Sequence, residues 1–323
     1  MEQIIQLIHE RKSFILAGHT GPDGDSIGSC FGLAWALEKL GKKVNVVLEP
    51  FPPKFNIIPG RKFVYTGPLE KLEVDVLIAM DCADAERLGP AKPLFERAKH
   101  TICIDHHETN NGFADYNYLE FKASSAAEMV FRLIEKLTVP DENIASAIYA
   151  GILSDTGGFR YNATAKSTME TAAHLMDMGI PFTEIYNELM HKHRFAAGKA
   201  MGMVLNNCLQ SMDGRIVYSY MTRDMLASVG ADPSDLDGVV EYLMDTRGAD
   251  AACLVYEKHT APQVKVSLRS QGPNVGHVAV ELGGGGHHLA AGATVKGTIE
   301  AIIKEVLDLL EQEILVHDEQ CEQ

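Results

Sequence analysis

From Ser13 onward, short apolar runs alternate with stretches of helical periodicity, and this alternation leaves few architectures open. The runs are FILAG, VNVVL, VDVLIAM at 74–80 and TICI at 101–104, and the last two stop abruptly at aspartate. A helix from about Ser26 to Leu40, closed by Gly41, separates the first two. Strands joined through helices pair in parallel, so the pattern predicts an α/β domain with a mostly parallel sheet flanked by helices. In such sheets ligands gather beyond the carboxyl ends of the strands, where these aspartates stand.

After Ser125 the pattern is helical through about Met190, carried by SSAAEMVFRLIEKL and ENIASAIYAGILSD. We therefore place a first domain at 1–190. The polar, basic HKHRFAAG precedes another helical stretch to about Gln210, so 191–210 reads as a linker and helix. At 211–323 a second alternation runs through RIVYSYM, a helix near Leu236 to Thr246, the β-rich pair AACLVYEK and QVKVSLRS, the glycine-rich GGGGHH, AAGATV, and a last helix from about Ile299 to Leu315. It predicts a smaller α/β domain with a mixed sheet. A chain of 323 residues exceeds what one core usually organises, which agrees with two domains.

Hydrophobic residues make up 46% and charged residues 23%, as in ordinary folded proteins, so disorder is not expected. The N-terminus is amphipathic with mixed charge, and no uninterrupted apolar stretch is long enough to span a bilayer, so the expectation is a cytoplasmic protein with no membrane contact. Six cysteines are scattered without a CxxC pair, and buried free thiols are the favoured reading. Net charge is −15, the wrong sign for gripping long nucleic acid by phosphate neutralisation, and points to small substrates.

Four segments place acid or imidazole groups at the ends of predicted elements. The first, His19-Thr-Gly-Pro-Asp23-Gly-Asp25, follows FILAG, and its glycines and proline force a tight loop. The others are Asp81 after VLIAM, Asp105-His106-His107 after TICI, and Asp155 where a helix gives way to a glycine turn. Alone, each has a plain explanation: Asp81 as a helix N-cap, the histidines as a surface pair, Pro-Asp-Gly-Asp as a turn. Together on one side of an alternating fold, so many carboxylates in one place require cations. Nitrogen and oxygen donors without thiolate suit Mn²⁺ best, with Co²⁺, Zn²⁺ and Mg²⁺ as alternatives.

These blocks resemble the DHH phosphoesterases, named for the triplet that stands here at Asp105, His106 and His107. The second half is similar to the DHHA1 domain through Arg269-Ser270, Asn274 and Gly283 to His287. Length and layout look most like the stand-alone NrnA-type members, which act as oligoribonuclease and phosphatase of 3′-phosphoadenosine 5′-phosphate (pAp). The resemblance implies two metals: one on His19, Asp23 and Asp81, the other on Asp25, Asp81, His106 and Asp155, with Asp81 bridging. It places Asp105 behind an imidazole and His107 against the substrate phosphate, and suggests a bridging hydroxide as nucleophile. Arg269, Ser270, Asn274, Gly284, Gly285, Gly286 and His287 would bind the rest of the substrate, and Arg160 would clamp a phosphate. A surface loop competes for the glycine block, and an exposed surface arginine for Arg160.

The expected substrates are very short RNAs, linear dinucleotides and pAp. A phosphodiesterase for cyclic dinucleotides such as c-di-AMP, or for linear pApA, is the nearest alternative, and a non-catalytic nucleotide- or RNA-binding protein is the alternative from another class. Oligomeric state is left open, a homodimer included.

Overall fold

In the computed structural model, which describes residues 1–258 and 262–321, the first half carries five strands, four of them on the apolar runs. They are β1 (Ser13–Ala17), β2 (Lys43–Val47), β3 (Val76–Met80), β4 (His100–Asp105) and β5 (Tyr116–Leu119). The sheet order is β2-β1-β3-β4-β5 and every pairing is parallel. Phe14, Leu16, Ile78 and Ile104 are buried on one face, and Ile15, Ala17, Leu77 and Cys103 on the other. Burial on both faces is why β1, β3 and β4 read as unbroken apolar runs.

One face is covered by the helices Glu2–Glu10, Gly24–Lys39, Ala126–Leu137 and Glu142–Asp155. The other is covered by short 3₁₀ segments and the helix Lys92–Glu96. The chain leaves β1 toward β2 and then places β3 on the opposite side of β1, so the loops after β1 and β3 diverge and open a crevice at the carboxyl end of the sheet.

Helices Gly24–Lys39 and Glu142–Asp155 meet along glycines. A Cβ at Gly28 would lie 2.5 Å from the Ala147 carbonyl oxygen and 2.9 Å from the Gly151 nitrogen, so only glycine allows this approach. The contact brings the start of one helix, with Asp23 and Asp25, beside the end of the other, with Asp155.

The chain divides into two compact units, Met1–Lys192 and His193–Gln323. Within the second lie β6 (Leu209–Ser211), β7 (Ile216–Met221), β8 (Ala251–Glu257), β9 (Gln263–Ser270), β10 (Gly285–Gly286) and β11 (Ala290–Lys296). They form a mixed sheet in the order β10-β11-β9-β8-β7-β6, in which only β7 and β8 pair in parallel. Ala251, Cys253 and Val255 face the helices Val275–Glu281 and Ile299–Cys321, while Ala252, Leu254 and Tyr256 face Phe195–Asn206 and Val239–Met244.

The α/β character expected of both halves is present. Four details add to or differ from expectation. The stretch 191–210 supplies the helix Phe195–Asn206, whose Ala200 and Val204 are buried in the second unit's core. The last helix runs on to Cys321, and strand β5 comes from YNYL, a half-exposed edge segment without an apolar run. Of the cysteines, Cys30, Cys82, Cys103 and Cys253 are buried free thiols, but Cys208 and Cys321 are exposed. Among the described residues no helix is long and apolar enough to cross a membrane.

Candidate metal centre

The loop after β1 is held against the first turn of the next helix. Asp23 is the N-cap of helix Gly24–Lys39 and accepts hydrogen bonds from the Asp25 and Ser26 amides, each at 3.0 Å. Ser26 in turn accepts from the His19 amide at 3.2 Å. With its Nδ1 2.9 Å from the Thr20 carbonyl oxygen, the buried His19 turns Nε2 inward, 3.6 Å from Asp23 Oδ1 and 3.4 Å from Asp81 Oδ2.

Asp25 points the other way, into the start of helix Ala126–Leu137. Its two carboxylate oxygens accept from the Ala126 amide at 2.7 Å and the Ala127 amide at 2.8 Å, where the helix's free N–H groups and positive end favour an anion. Asp81 is no N-cap. It follows β3 with φ of 56°, a left-handed backbone uncommon for a non-glycine residue, and its amide donates to the Ile104 carbonyl at 3.0 Å.

The triplet ends β4. Asp105 is fully buried; its Oδ1 lies 2.7 Å from His107 Nδ1 and its Oδ2 accepts from Asn110 Nδ2 at 2.7 Å. His107 therefore leaves Nε2 outward. His106 has Nδ1 3.2 Å from the Ala123 carbonyl oxygen, so its Nε2 lies 3.5 Å from Asp81 Oδ1, 3.3 Å from Asp155 Oδ2 and 4.0 Å from Asp25 Oδ2.

Three groups of donor atoms within 4.8 Å of one another arise among the described residues: His19, Asp23 and Asp81; Asp25, His106 and Asp155; Asp81, His106 and His107. Asp81 stands between the first two. Its Oδ1 is buried, has no hydrogen-bond partner, and sits 3.5 Å from His106 and 3.6 Å from His107. A buried carboxylate oxygen without a hydrogen bond, set among imidazole nitrogens, fits the role of a cation ligand.

Electrostatics point the same way. Burial, followed by the charges of Asp81 and Asp155, pushes the Asp25 carboxyl well above its usual range, and burial lifts Asp155 to about 7. Burial opposes a charge on His19 and His106, yet the surrounding carboxylates outweigh it and raise both imidazoles to about 10. For Asp81 burial works upward, but His106 and His19 outweigh it and hold the carboxyl below its usual range. Asp105, the largest influence on His107, raises that imidazole as well. Without cations, protons must balance this site. The donor set of oxygen and imidazole nitrogen fits divalent ions of the Mn²⁺ type.

In the second unit the sequence-picked residues are engaged locally. Arg269 is half-buried, with Nε 3.0 Å and Nη2 2.7 Å from Glu241 Oε1, and Nη1 donating to the Leu268 carbonyl at 2.8 Å. Ser270 Oγ donates to the Pro273 carbonyl at 2.6 Å, and Asn274 caps helix Val275–Glu281 by accepting from the Gly276 amide at 3.0 Å. Gly285 and Gly286 pair with Gly292 and Ala291 in an antiparallel hairpin closed by the His287 amide on the Ala290 carbonyl at 2.8 Å. This is an exposed hairpin. A Cβ on Gly284 would lie 2.3 Å from the Gly292 carbonyl oxygen, which explains the glycine there. Arg160 is exposed, in the glycine turn that follows Asp155.

Residues 13–152 match the family model described as DHH family, N-terminal domain, and residues 213–314 match the DHHA1 domain. The bifunctional oligoribonuclease and PAP phosphatase NrnA of Thermus thermophilus is 33% identical over 304 residues, 93% of this chain and 89% of that protein. The chain belongs to the DHH family. As such it is an enzyme, a phosphoester hydrolase. The NrnA of Bacillus subtilis is 28% identical, covering 93% of this chain and 94% of that protein. The crystal structure of an exopolyphosphatase-related protein from Bacteroides fragilis superposes with a TM-score of 0.88 at 28% identity, over 96% of this chain and 95% of that one. Exonuclease RecJ bound to manganese shares the fold, with a TM-score of 0.53 at 14% identity over 94% of this chain and 92% of that one.

Several groups at this DHH site carry no signal in the sequence. Asn110 bridges Asp105, the Cys82 carbonyl at 2.9 Å and Cys103 Sγ at 3.4 Å. The Ala123 carbonyl and the Ala126 and Ala127 amides act through the backbone, which residue type does not reveal.

Proposed function

We propose that this hydrolase cleaves short oligoribonucleotides and linear dinucleotides to mononucleotides and removes the 3′-phosphate of pAp, with two divalent cations, Mn²⁺ foremost. The observation that carries the reading is the pair of donor clusters on either side of Asp81 with its orphaned oxygen. His19, Asp23 and Asp81 would hold one ion; Asp25, His106 and Asp155, again with Asp81, the other. Bound there, such ions supply Lewis-acid stabilisation of phosphoryl charge and a nucleophile at neutral pH.

The chain's own residues do the rest. Asp105 fixes the His107 ring by its Nδ1 and raises its proton affinity, which favours the imidazolium form whose Nε2–H donates to a phosphoryl oxygen. Arg160, on the turn after Asp155, is assigned to a substrate phosphate. In the second unit the exposed hairpin Gly284 to His287 is assigned to ribose or phosphate, while Arg269 reaches a substrate only on release from Glu241. The substrate class follows the relatives, named as oligoribonuclease and PAP phosphatase, and the net charge of −15 favours small substrates over long nucleic acid.

The test is product release from pApA, pAp, c-di-AMP, pyrophosphate and a long single-stranded RNA, in Mn²⁺ and in EDTA. Mn²⁺-dependent turnover of pApA and pAp is expected, with little on the long RNA. Preference for c-di-AMP would replace the substrate assignment, and no turnover of any substrate would overturn the reading.

A further inference from the structure

Behind the metal cluster lies a buried polar group that takes no part in it. Glu128 is 1% exposed, and its Oε2 accepts from Ser124 Oγ at 2.6 Å, from the Ser124 amide at 3.3 Å and from Thr168 Oγ1 at 3.0 Å. Ser124 and Thr168 are both fully buried, and Thr168 belongs to the helix Lys166–Asp177. Its oxygen also accepts from the Ala165 amide at 3.1 Å, which leaves its single proton for Glu128. The amide of Glu128 donates to Ser125 Oγ at 3.1 Å, the N-cap of helix Ala126–Leu137.

This network holds a segment with two duties. Ala123, one residue before Ser124, supplies the carbonyl 3.2 Å from His106 Nδ1, which turns Nε2 toward Asp155. Ala126 and Ala127, just after Ser125, supply the amides that fix both oxygens of Asp25. Three backbone groups within five consecutive residues therefore aim two members of the cluster Asp25, His106 and Asp155. The cluster His19, Asp23 and Asp81 takes no hydrogen bond from that segment; its orienting groups are the Thr20 carbonyl and the helix start at Asp25 and Ser26.

We propose that Glu128, with Ser124 and Thr168, is the positioning group for one half of the metal centre: it locks 123–127 in the conformation that aims His106 and Asp25, and leaves the other half alone. The inference rests on the metal assignment of the preceding section. Its signature is asymmetric. Loosening this network weakens one of two ions, because a ligand that must be reoriented loses the advantage of a preset geometry, typically about 10- to 100-fold in affinity.

Mn²⁺ binding to the full chain, followed by calorimetry and by the paramagnetic resonance of the bound ions, reads this directly. Thr168→Val keeps the shape and removes the donor; one ion is expected to bind about 10- to 100-fold more weakly with the other unchanged. Thr168→Ser, which keeps the hydroxyl, restores the wild-type pair. Ser124→Ala, which removes a different donor to the same oxygen, repeats the result if Thr168→Val does not fold. Asp141→Ala is the structural control, since it removes an N-cap from helix Glu142–Asp155 without touching 123–127, and both ions stay tight. Two unchanged ions in Thr168→Val and Ser124→Ala would overturn the inference, as would an equal loss in Asp141→Ala. A wild-type protein that binds fewer than two ions would instead overturn the metal assignment beneath it, and is seen before any variant is made.

Discussion

At the carboxyl ends of β1, β3 and β4, carboxylates and imidazoles from four segments face one another, and one buried oxygen of Asp81 has no hydrogen-bond partner. In the second unit, Arg269 is matched by Glu241, Ser270 by the Pro273 carbonyl and Asn274 by a helix amide. The first arrangement is costly as it stands, because burial and mutual repulsion push Asp25 and Asp155 toward their neutral forms. The second is already satisfied. Crowded like charges therefore mark a region shaped for something absent from the chain, while locally paired polar groups stabilise the fold unless a substrate displaces a partner.

The strongest way to break this contrast is Asp81→Ala. A folded variant is expected to lose at least about 10³-fold in kcat, equivalent to about 4 kcal/mol, and to lose Mn²⁺ binding; retained activity in steady-state assays of pApA hydrolysis would dissolve the distinction. Next comes the pair His107 and Asp105. His107→Ala is expected to cost about 10²-fold in kcat, and Asp105→Asn about 10- to 100-fold. Because Asp105 raises His107, the asparagine variant lowers that imidazole's pKa, so the basic limb of its pH–rate profile moves to lower pH. An unmoved limb would remove His107 as the titrating donor.

Stability sharpens the comparison further. In the metal-free protein His19 and His106 hold protons up to about 10, against 6.5 as the ordinary value. More protons are bound folded than unfolded between those values, so the stability they contribute is complete below 6.5 and is lost as pH rises through about 10. Thermal melts in EDTA should fall across that window, and Mn²⁺ should raise the melting temperature most at its alkaline end, because proton and metal compete for the same nitrogens. A flat EDTA profile would count against the raised imidazoles. The smallest effect is expected at Arg269→Ala: KM for pApA rises about tenfold with kcat held, worth about 1.4 kcal/mol. An unchanged KM would leave Arg269 as the partner of Glu241 and nothing more.

FILAG, VDVLIAM and TICI were legible because strands buried on both faces show as apolar runs, and VNVVL because its valines cluster even on the edge strand β2; each became a parallel strand. YNYL was not, since its side chains are half-exposed and mix tyrosine with asparagine, so it shows no such run. The glycine block was ambiguous for a related reason. Glycines carry no side-chain pattern, and that GGGGHH turns back as a hairpin depends on Gly292 and Ala291, which pair with it from β11. Within the centre, His19, Asp23, Asp25, Asp81, the triplet and Asp155 stood out as residue types at element ends. Their partners did not: Asn110 lies five residues beyond Asp105 in a loop with no periodicity, and the Ala123 carbonyl looks like any other.

By itself the sequence determined what short-range physics controls: alternating strands and helices, tight turns at glycine and proline, and acids placed where strands end. Only the tertiary structure decided which of those acids meet. Asp25 is fixed by amides about a hundred residues away, and Asp155 arrives beside it because Gly28 and Gly151 let two helices touch backbone to backbone. Such convergence depends on packing between distant segments, where a missing methyl group matters more than any local propensity.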